Sequence, residues 1–241
     1  MTLSDEDLKI EADALAYAKS IRRAFSKDAT DQSTYLSEEA PVSVFMAGSP
    51  GAGKTEASIA LIDSISSPGQ GIVRIDPDEL RQHFEEYEGS NAHLFQKAVS
   101  ILVEKIHDLV LKQKQSFLLD GTLSNYGIAI KNIDRSLSRK RLVQILYVYQ
   151  EPQQAWNFVL AREVLEGRKI LAEHFVGQYF EARNVVNRLK EKYGQAVSVD
   201  LLLKNIDGSN KVYQANVDSI DNYIPEKYSR TQIEQMLGIA K

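Results

Sequence analysis

Gly48-Ser49-Pro50-Gly51-Ala52-Gly53-Lys54-Thr55 follows the pattern G-x-x-x-x-G-K-[ST] and comes directly after the apolar run Val42-Ser43-Val44-Phe45-Met46-Ala47. Glycines in this arrangement let the backbone curl so that successive N–H groups converge on a β-phosphate, and the helix that follows adds its positive end. Lys54 is placed to reach the β- and γ-phosphates, and the Thr55 hydroxyl is the kind of ligand Mg2+ takes in such loops. All eight residues are expected to line a nucleotide site. The Asn-Lys-x-Asp signature of guanine-specific proteins is absent, because the one Asn-Lys pair, Asn210-Lys211, runs on into Val212-Tyr213. ATP is therefore the expected nucleotide.

Two acidic groups could complete a phosphoryl-transfer site. Ile75-Asp76-Pro77-Asp78 follows one strand-like run, and Leu119-Asp120-Gly121-Thr122 follows another. An aspartate just beyond a buried strand is a usual second holder of Mg2+, directly or through water, which suits Asp120, and Gly121 would let the backbone approach a ligand. Both groups also have plain readings: Asp-Gly is a common turn pair, and Asp-Pro-Asp can be a helix cap followed by a first-turn acid. Arg162 and Arg168 flank residues 163–167. Cationic forks above a moving phosphate often come from a helix or lid across the cleft, although arginines on amphipathic helices are mostly solvated.

These residues need a scaffold that gathers strand ends. From Pro41 onward, strand-like and helix-like segments alternate, which predicts a parallel sheet with crossover helices on both faces, of the P-loop NTPase type. Strands are expected at residues 42–47, 72–75, 117–119, 142–149 and 197–203. Helices are expected at 53–64, 92–112, 152–166 and 171–192, making the C-terminal part helix-rich. In open sheets of this kind ligands sit beyond the carboxyl ends of the strands, where the loop and both acidic groups fall. Thr231-Gln232-Ile233-Glu234 reads as a capping box opening a last short helix. Ahead of the sheet, Ser4 and Asp7 can cap a helix carrying Leu8, Ala12, Leu15, Ala18, Ile21 and Phe25 at helical spacing, and 27–39 reads as a polar linker or cover. The expected division is an N-terminal helical extension and linker, 1–40, and a kinase-type domain, 41–241.

Composition removes other classes. In 241 residues with 43% apolar content there is enough to bury a core, and the absence of cysteine excludes disulfides, thiol catalysis and thiolate metal sites. Twenty-nine basic residues against 33 acidic ones leave a formal charge of −4, a poor basis for nucleic-acid binding. The basic run of Lys131, Arg135, Arg139, Lys140 and Arg141 reads as a solvated helix end. No apolar stretch approaches the ~18 residues of a membrane span, and the acidic opening MTLSDEDLKIEAD is unlike an export signal, so a cytoplasmic location is expected. The four histidines lack metal-ligand spacing, and Tyr147, Tyr149 and Trp156 read as packing residues.

Taken in order, the motifs resemble those of the zeta toxin family of P-loop kinases: GSPGAGKT, then Asp76-Pro77-Asp78-Glu79-Leu80-Arg81, then Asp120-Gly121-Thr122-Leu123, then Arg162 and Gly167-Arg168, with Glu173-His174-Phe175 behind them. The resemblance covers roughly residues 40 to 190. It implies that Asp78 is the base facing a substrate hydroxyl, that Arg81 and Thr122 belong with it on the substrate side, that Asp120 supports the Mg2+ site, and that Arg162 and Arg168 hold ATP phosphates beside Lys54. It further implies phosphorylation of the sugar 3′-hydroxyl of UDP-N-acetylglucosamine, which blocks cell-wall synthesis, and restraint by an antitoxin, for which the N-terminal segment could substitute in cis. The chain departs from the family where His83 is followed by Phe84 instead of Pro, and where the acidic-Gly-Thr motif carries Asp instead of Glu. Other readings of the residues are a P-loop kinase for a different hydroxyl, such as a nucleic-acid 5′ end or an antibiotic, and a non-catalytic, nucleotide-gated interaction module.

Overall fold

The structure is a computed structural model that describes residues 3–66, 71–225 and 227–240. Residues 1, 2 and 241, the outer ends of the expected division, lie outside the described residues. The chain runs α1 (Asp5–Ala29), β1 (Val42–Ala47), α2 (Lys54–Ile65), β2 (Val73–Ile75), α3 (Pro77–Arg81), a 3-10 turn (Ala92–Phe95), α4 (Gln96–Lys112), β3 (Phe117–Leu119), α5 (Tyr126–Leu137), β4 (Leu142–Tyr149), α6 (Pro152–Glu166), α7 (Ala172–Tyr193), β5 (Ser198–Lys204), β6 (Asn210–Gln214) and α8 (Arg230–Met236). The strand order is β2-β3-β1-β4-β5-β6, parallel except for the β5–β6 pair. This is the expected α/β class with helices on both faces.

Alternation along the strands distributes the core. Phe45 and Ala47 of β1, Phe117 of β3, Ile145 and Tyr147 of β4 and Val199 and Leu201 of β5 join a large cluster with α4, α5 and α7. Val44, Met46, Leu118, Leu146, Val148 and Leu202 face the other way, against Ala57, Leu61 and Ile62 of α2. Tyr147 and Tyr149 are buried, and the Trp156 ring packs 5.2 Å from Phe175, joining α6 to α7.

Helix α1 opens with the expected Ser4/Asp7 capping box and lies along α4 and the 92–95 turn, with Ala14 and Ala18 buried and Glu11 paired to Lys97 at 3.0 Å. Tyr17 meets Phe84, and Phe25 meets exposed His83 at 4.8 Å between ring centres. Part of the expected linker is helical, since α1 continues to Ala29. The remainder is fastened to the core: the Gln115 amide donates to the carbonyls of Thr30 and Tyr35, and Ser116 N–H donates to Glu38 Oε1.

Other expectations are corrected. The last capping box is Ser229 with Gln232, because Ser229 meets the same rule and makes both reciprocal hydrogen bonds, which leaves Thr231 inside the first turn. Arg141 is buried instead of solvated: its guanidinium donates to Ser43 Oγ, Val42 O and Gln115 O, closing the amino ends of the strands. Lys131 and Arg135 pair with Glu104 and Asp108 of α4. Among the described residues no helix is long and apolar enough to cross a membrane.

His107 of α4 sits in this core, with Nδ1 3.2 Å from Arg135 Nη1 and its ring against Phe117. Burial, then repulsion from Arg135, Arg141, Arg139 and Lys131, pulls its pKa from 6.5 to about 3. Above pH 6.5 the ring is neutral in both folded and unfolded chains. Below it only the unfolded chain takes up the proton, so stability is lost on acidification at up to roughly 1.4 kcal/mol per pH unit. Urea unfolding should therefore show a smaller loss between pH 7 and pH 5 for His107→Gln than for the parent; equal losses would show that His107 is not the group responsible.

Candidate active site

The loop emerges from β1, the third strand in the sheet order, with Asp120 beyond its neighbour β3 and Asp76 one strand farther out. The two flanking strands end in step, since Asp120 N–H donates to Ile75 O at 2.9 Å. Thr122 O accepts from Gly48 N–H at 3.2 Å, so the Asp-Gly-Thr segment is tied to the start of the loop. Gly51 has φ +71°, and a Cβ there would lie 2.1 Å from Ala155 O. Only glycine fits both the backbone and the close approach of α6.

That contact aims Arg162. Ala155, Val159, Arg162 and Glu166 fall at helical spacing on one stripe of α6, and Gly51 packs on the first two. Arg162 is braced by Glu166 at 3.2 Å and remains half exposed. After the C-cap at Gly167 the chain presents Arg168, which pairs with Asp78. The segment 166–168 is held from below by Gly89, where φ is +81° and a Cβ would stand 2.5 Å from Glu166 O.

Lys54 is half-buried at the start of α2, and its ammonium donates to the loop's own carbonyls, Gly48 at 3.1 Å and Ser49 at 2.6 Å. Burial pulls its pKa down to about 8. Asp120 and Asp78 oppose that shift, while Arg168 and Arg162 add to it. The structure thus brings Lys54, Asp78, Asp120, Arg162 and Arg168 into one charge cluster.

The two acids of Asp76-Pro77-Asp78 are engaged differently. Strand geometry stops at Asp76, and α3 starts at Pro77. Asp76 is the N-cap: one oxygen accepts from Asp78 N–H at 2.8 Å and the other from Arg74 at 2.6 Å. Its pKa is raised by burial and by Asp120. Asp78 projects from the first turn of α3 and pairs with Arg81 and Arg168 through its two oxygens. Burial pushes its carboxyl up, but Arg168 and Arg81 pull harder and leave it below the ordinary range. Arg81 is buried and also donates to Gln96 Oε1 at 2.8 Å, so it stands behind Asp78.

Asp120 is buried, with Oδ2 2.8 Å from Arg74 and 3.0 Å from the Ser58 hydroxyl. Ser58 lies one turn beyond Thr55 on α2, which connects the two residues expected to serve a metal. Asp120 Oδ1 has no hydrogen-bond partner among the described residues, and an oxygen donor of this kind beside a helix-start threonine suits Mg2+. No group of three or more acidic, histidine or cysteine side chains able to hold a metal by itself occurs among the described residues. Thr122 pairs its hydroxyl with Ser124 at 2.9 Å, and the strained residue of this segment is Leu123, with φ 52°. Gly121 meets nothing within 4 Å, so no protein contact demands glycine there.

Arg74, Ser58, Gln96 and Gly89 belong to none of the sequence motifs. For Arg74 there was a signal: a guanidinium in the middle of a short buried strand, two residues before an acid, requires a carboxylate partner.

The zeta toxin family model matches residues 26–218, and the chain belongs to that family. A structure from the PezAT chromosomal toxin–antitoxin system of the human pathogen Streptococcus pneumoniae is similar over 99% of this chain and 94% of that one, with a TM-score of 0.64 and 16% identity. AvrRxo1-ORF1:AvrRxo1-ORF2 with sulphate ions is similar over 89% of this chain and 70% of that one, at TM-score 0.57 and 16% identity; the same pair with ATP gives 0.57 and 15%. At these identities the likeness is one of fold. No curated protein matches the chain in sequence. Family and fold together support a phosphotransferase.

Gly89→Ala should displace the 166–168 segment and lower turnover at least tenfold together with the melting temperature, because a left-handed φ costs a side chain roughly 1–2 kcal/mol before the clash is added. Gly121→Ala should leave the melting temperature within a degree or two. A Gly89→Ala enzyme as stable and active as the parent would show that this buttress does not position Arg168.

Proposed function

We propose that the chain is an ATP-dependent kinase that transfers the γ-phosphoryl group to the sugar 3′-hydroxyl of UDP-N-acetylglucosamine. The observation that carries the reading is the convergence of Lys54, Asp78, Asp120, Arg162 and Arg168 around one glycine loop at the carboxyl end of a parallel sheet. Family membership and the ATP-bound structural neighbour support nucleotide binding. Thr55 and Asp120 Oδ1 would hold Mg2+, which supplies charge neutralisation across the β- and γ-phosphates when bound.

In the reaction the acceptor oxygen forms a bond to the γ-phosphorus as the bond to the β,γ-bridging oxygen breaks, releasing ADP. Asp78 orients the hydroxyl and takes its proton, while Lys54, Arg162 and Arg168 hold the phosphates. Incoming phosphates would take Arg168 from Asp78, and its departure removes a main cause of Asp78's lowered pKa. Nucleotide arrival thereby makes the carboxylate a stronger base.

Residues 1–40 would be an extension packed on a kinase domain of residues 41–241, since α1 lies along α4 and over residues 83–84. Restraint would then come from a separate antitoxin protein, which the PezAT neighbour supports.

The decisive assay is incubation with ATP, Mg2+ and a panel of nucleotide sugars, read by mass for one added phosphoryl group. Gain of mass by UDP-N-acetylglucosamine alone is expected; gain by a different acceptor would replace the substrate, and ATP binding with no acceptor modified would favour a nucleotide-gated module. Asp78→Asn should lower transfer at least about 100-fold while ATP affinity stays level or tightens up to about fivefold, the worth of a half-exposed ion pair. Lys54→Ala should abolish transfer, and turnover within tenfold of the parent would remove Lys54 from the site.

A further inference from the structure

Arg74 has no assigned part in the reaction, yet its guanidinium bridges the acids at the ends of two strands. Nη2 lies 2.6 Å from Asp76 Oδ2 and 2.8 Å from Asp120 Oδ2, Nε donates to Ser58 Oγ at 3.1 Å, and Nη1 pairs with Glu79. Its side chain is 14% exposed, against 9% for Asp76 and 6% for Asp120. Two buried carboxylates sharing one nitrogen are close neighbours. Without a cation between them they would have to share a proton or recruit an ion.

We propose that Arg74 is a positioning residue and the built-in counter-cation of the Asp76–Asp120 pair, so that the protein by itself takes up no divalent ion there and such an ion enters only with nucleotide phosphates. The hydrogen bonds follow this division of labour. Arg74 occupies the Asp76 oxygen not used by the α3 cap, which keeps α3 starting at Pro77 and Asp78 projecting from its first turn. It also occupies Oδ2 of Asp120 and leaves Oδ1 for a nucleotide-borne ion. Through Ser58 and Glu79 the same fork locks the start of α2 to α3. A lysine carries the charge but has a single nitrogen and cannot serve four acceptors at fixed angles. The identity of the ion rests on the kinase reading, although the arrangement of Arg74 and the two acids does not.

The test uses the full chain stripped of nucleotide and titrated with Mn2+, with free ion followed by electron paramagnetic resonance. The parent should bind no Mn2+ without nucleotide at concentrations where Arg74→Gln binds one ion at least tenfold more tightly, and Arg74→Gln/Asp76→Asn should lose that site. Arg74→Lys should continue to exclude Mn2+ while its kcat falls at least tenfold with KM for ATP within twofold. Tight Mn2+ binding by the nucleotide-free parent would overturn the proposal, as would a folded Arg74→Gln protein with no gained site, or a fully active Arg74→Lys enzyme. ATP binding measured in the same samples separates the two claims: a parent that binds no ATP would sink the kinase reading, while the Mn2+ titrations would still decide the role of Arg74.

Discussion

An acid must be ionised to take a hydroxyl's proton or hold a cation, and burial opposes ionisation. This structure places Asp76, Asp78 and Asp120 together at the carboxyl ends of its strands, with Asp76 and Asp120 buried, where an unpaired charge costs several kcal/mol. Much of the rest is arranged around that cost. Arg74 neutralises the two acids nearest the sheet, Arg81 and Arg168 hold the third, and Lys54 stays close enough to Asp120 and Asp78 for both to oppose the fall in its pKa. The cations come from β2, α2, α3 and the segment after α6, so the charge balance also fixes how these elements meet.

What the sequence disclosed depended on whether a signal was local. The glycine loop is legible because a single strand, loop and helix contain everything it needs, and the place of Asp120 at a strand end because it directly follows an apolar run. Asp76 and Asp78 are ambiguous as motif residues, since the cap and the first-turn acid have the same local spelling; their partners, Arg74 on one and Arg168 on the other, set them apart. The motif groups Arg81 with the substrate residues, and the structure sets its buried guanidinium on Asp78 and Gln96.

The features that escaped were those defined by distant partners. The spacing of β6 is weakly alternating and its residues are largely exposed, so it became a strand only by pairing with β5. Arg141 looked like one of a row of surface cations, and only the closing of Ser43, Val42 and Gln115 around it makes it interior. Gly89 has no motif at all. Its constraint is the carbonyl of Glu166, far along the chain, and through that carbonyl it supports the segment carrying Arg168.

The central proposal is that Arg168 passes from Asp78 to the phosphates when the nucleotide binds. A crystal structure with a non-hydrolysable ATP analogue and Mg2+ tests it most directly. The account predicts that Arg168 is found on the phosphates, with Asp78 released from it and still held by Arg81. A bound analogue with the Asp78–Arg168 pair intact would contradict it.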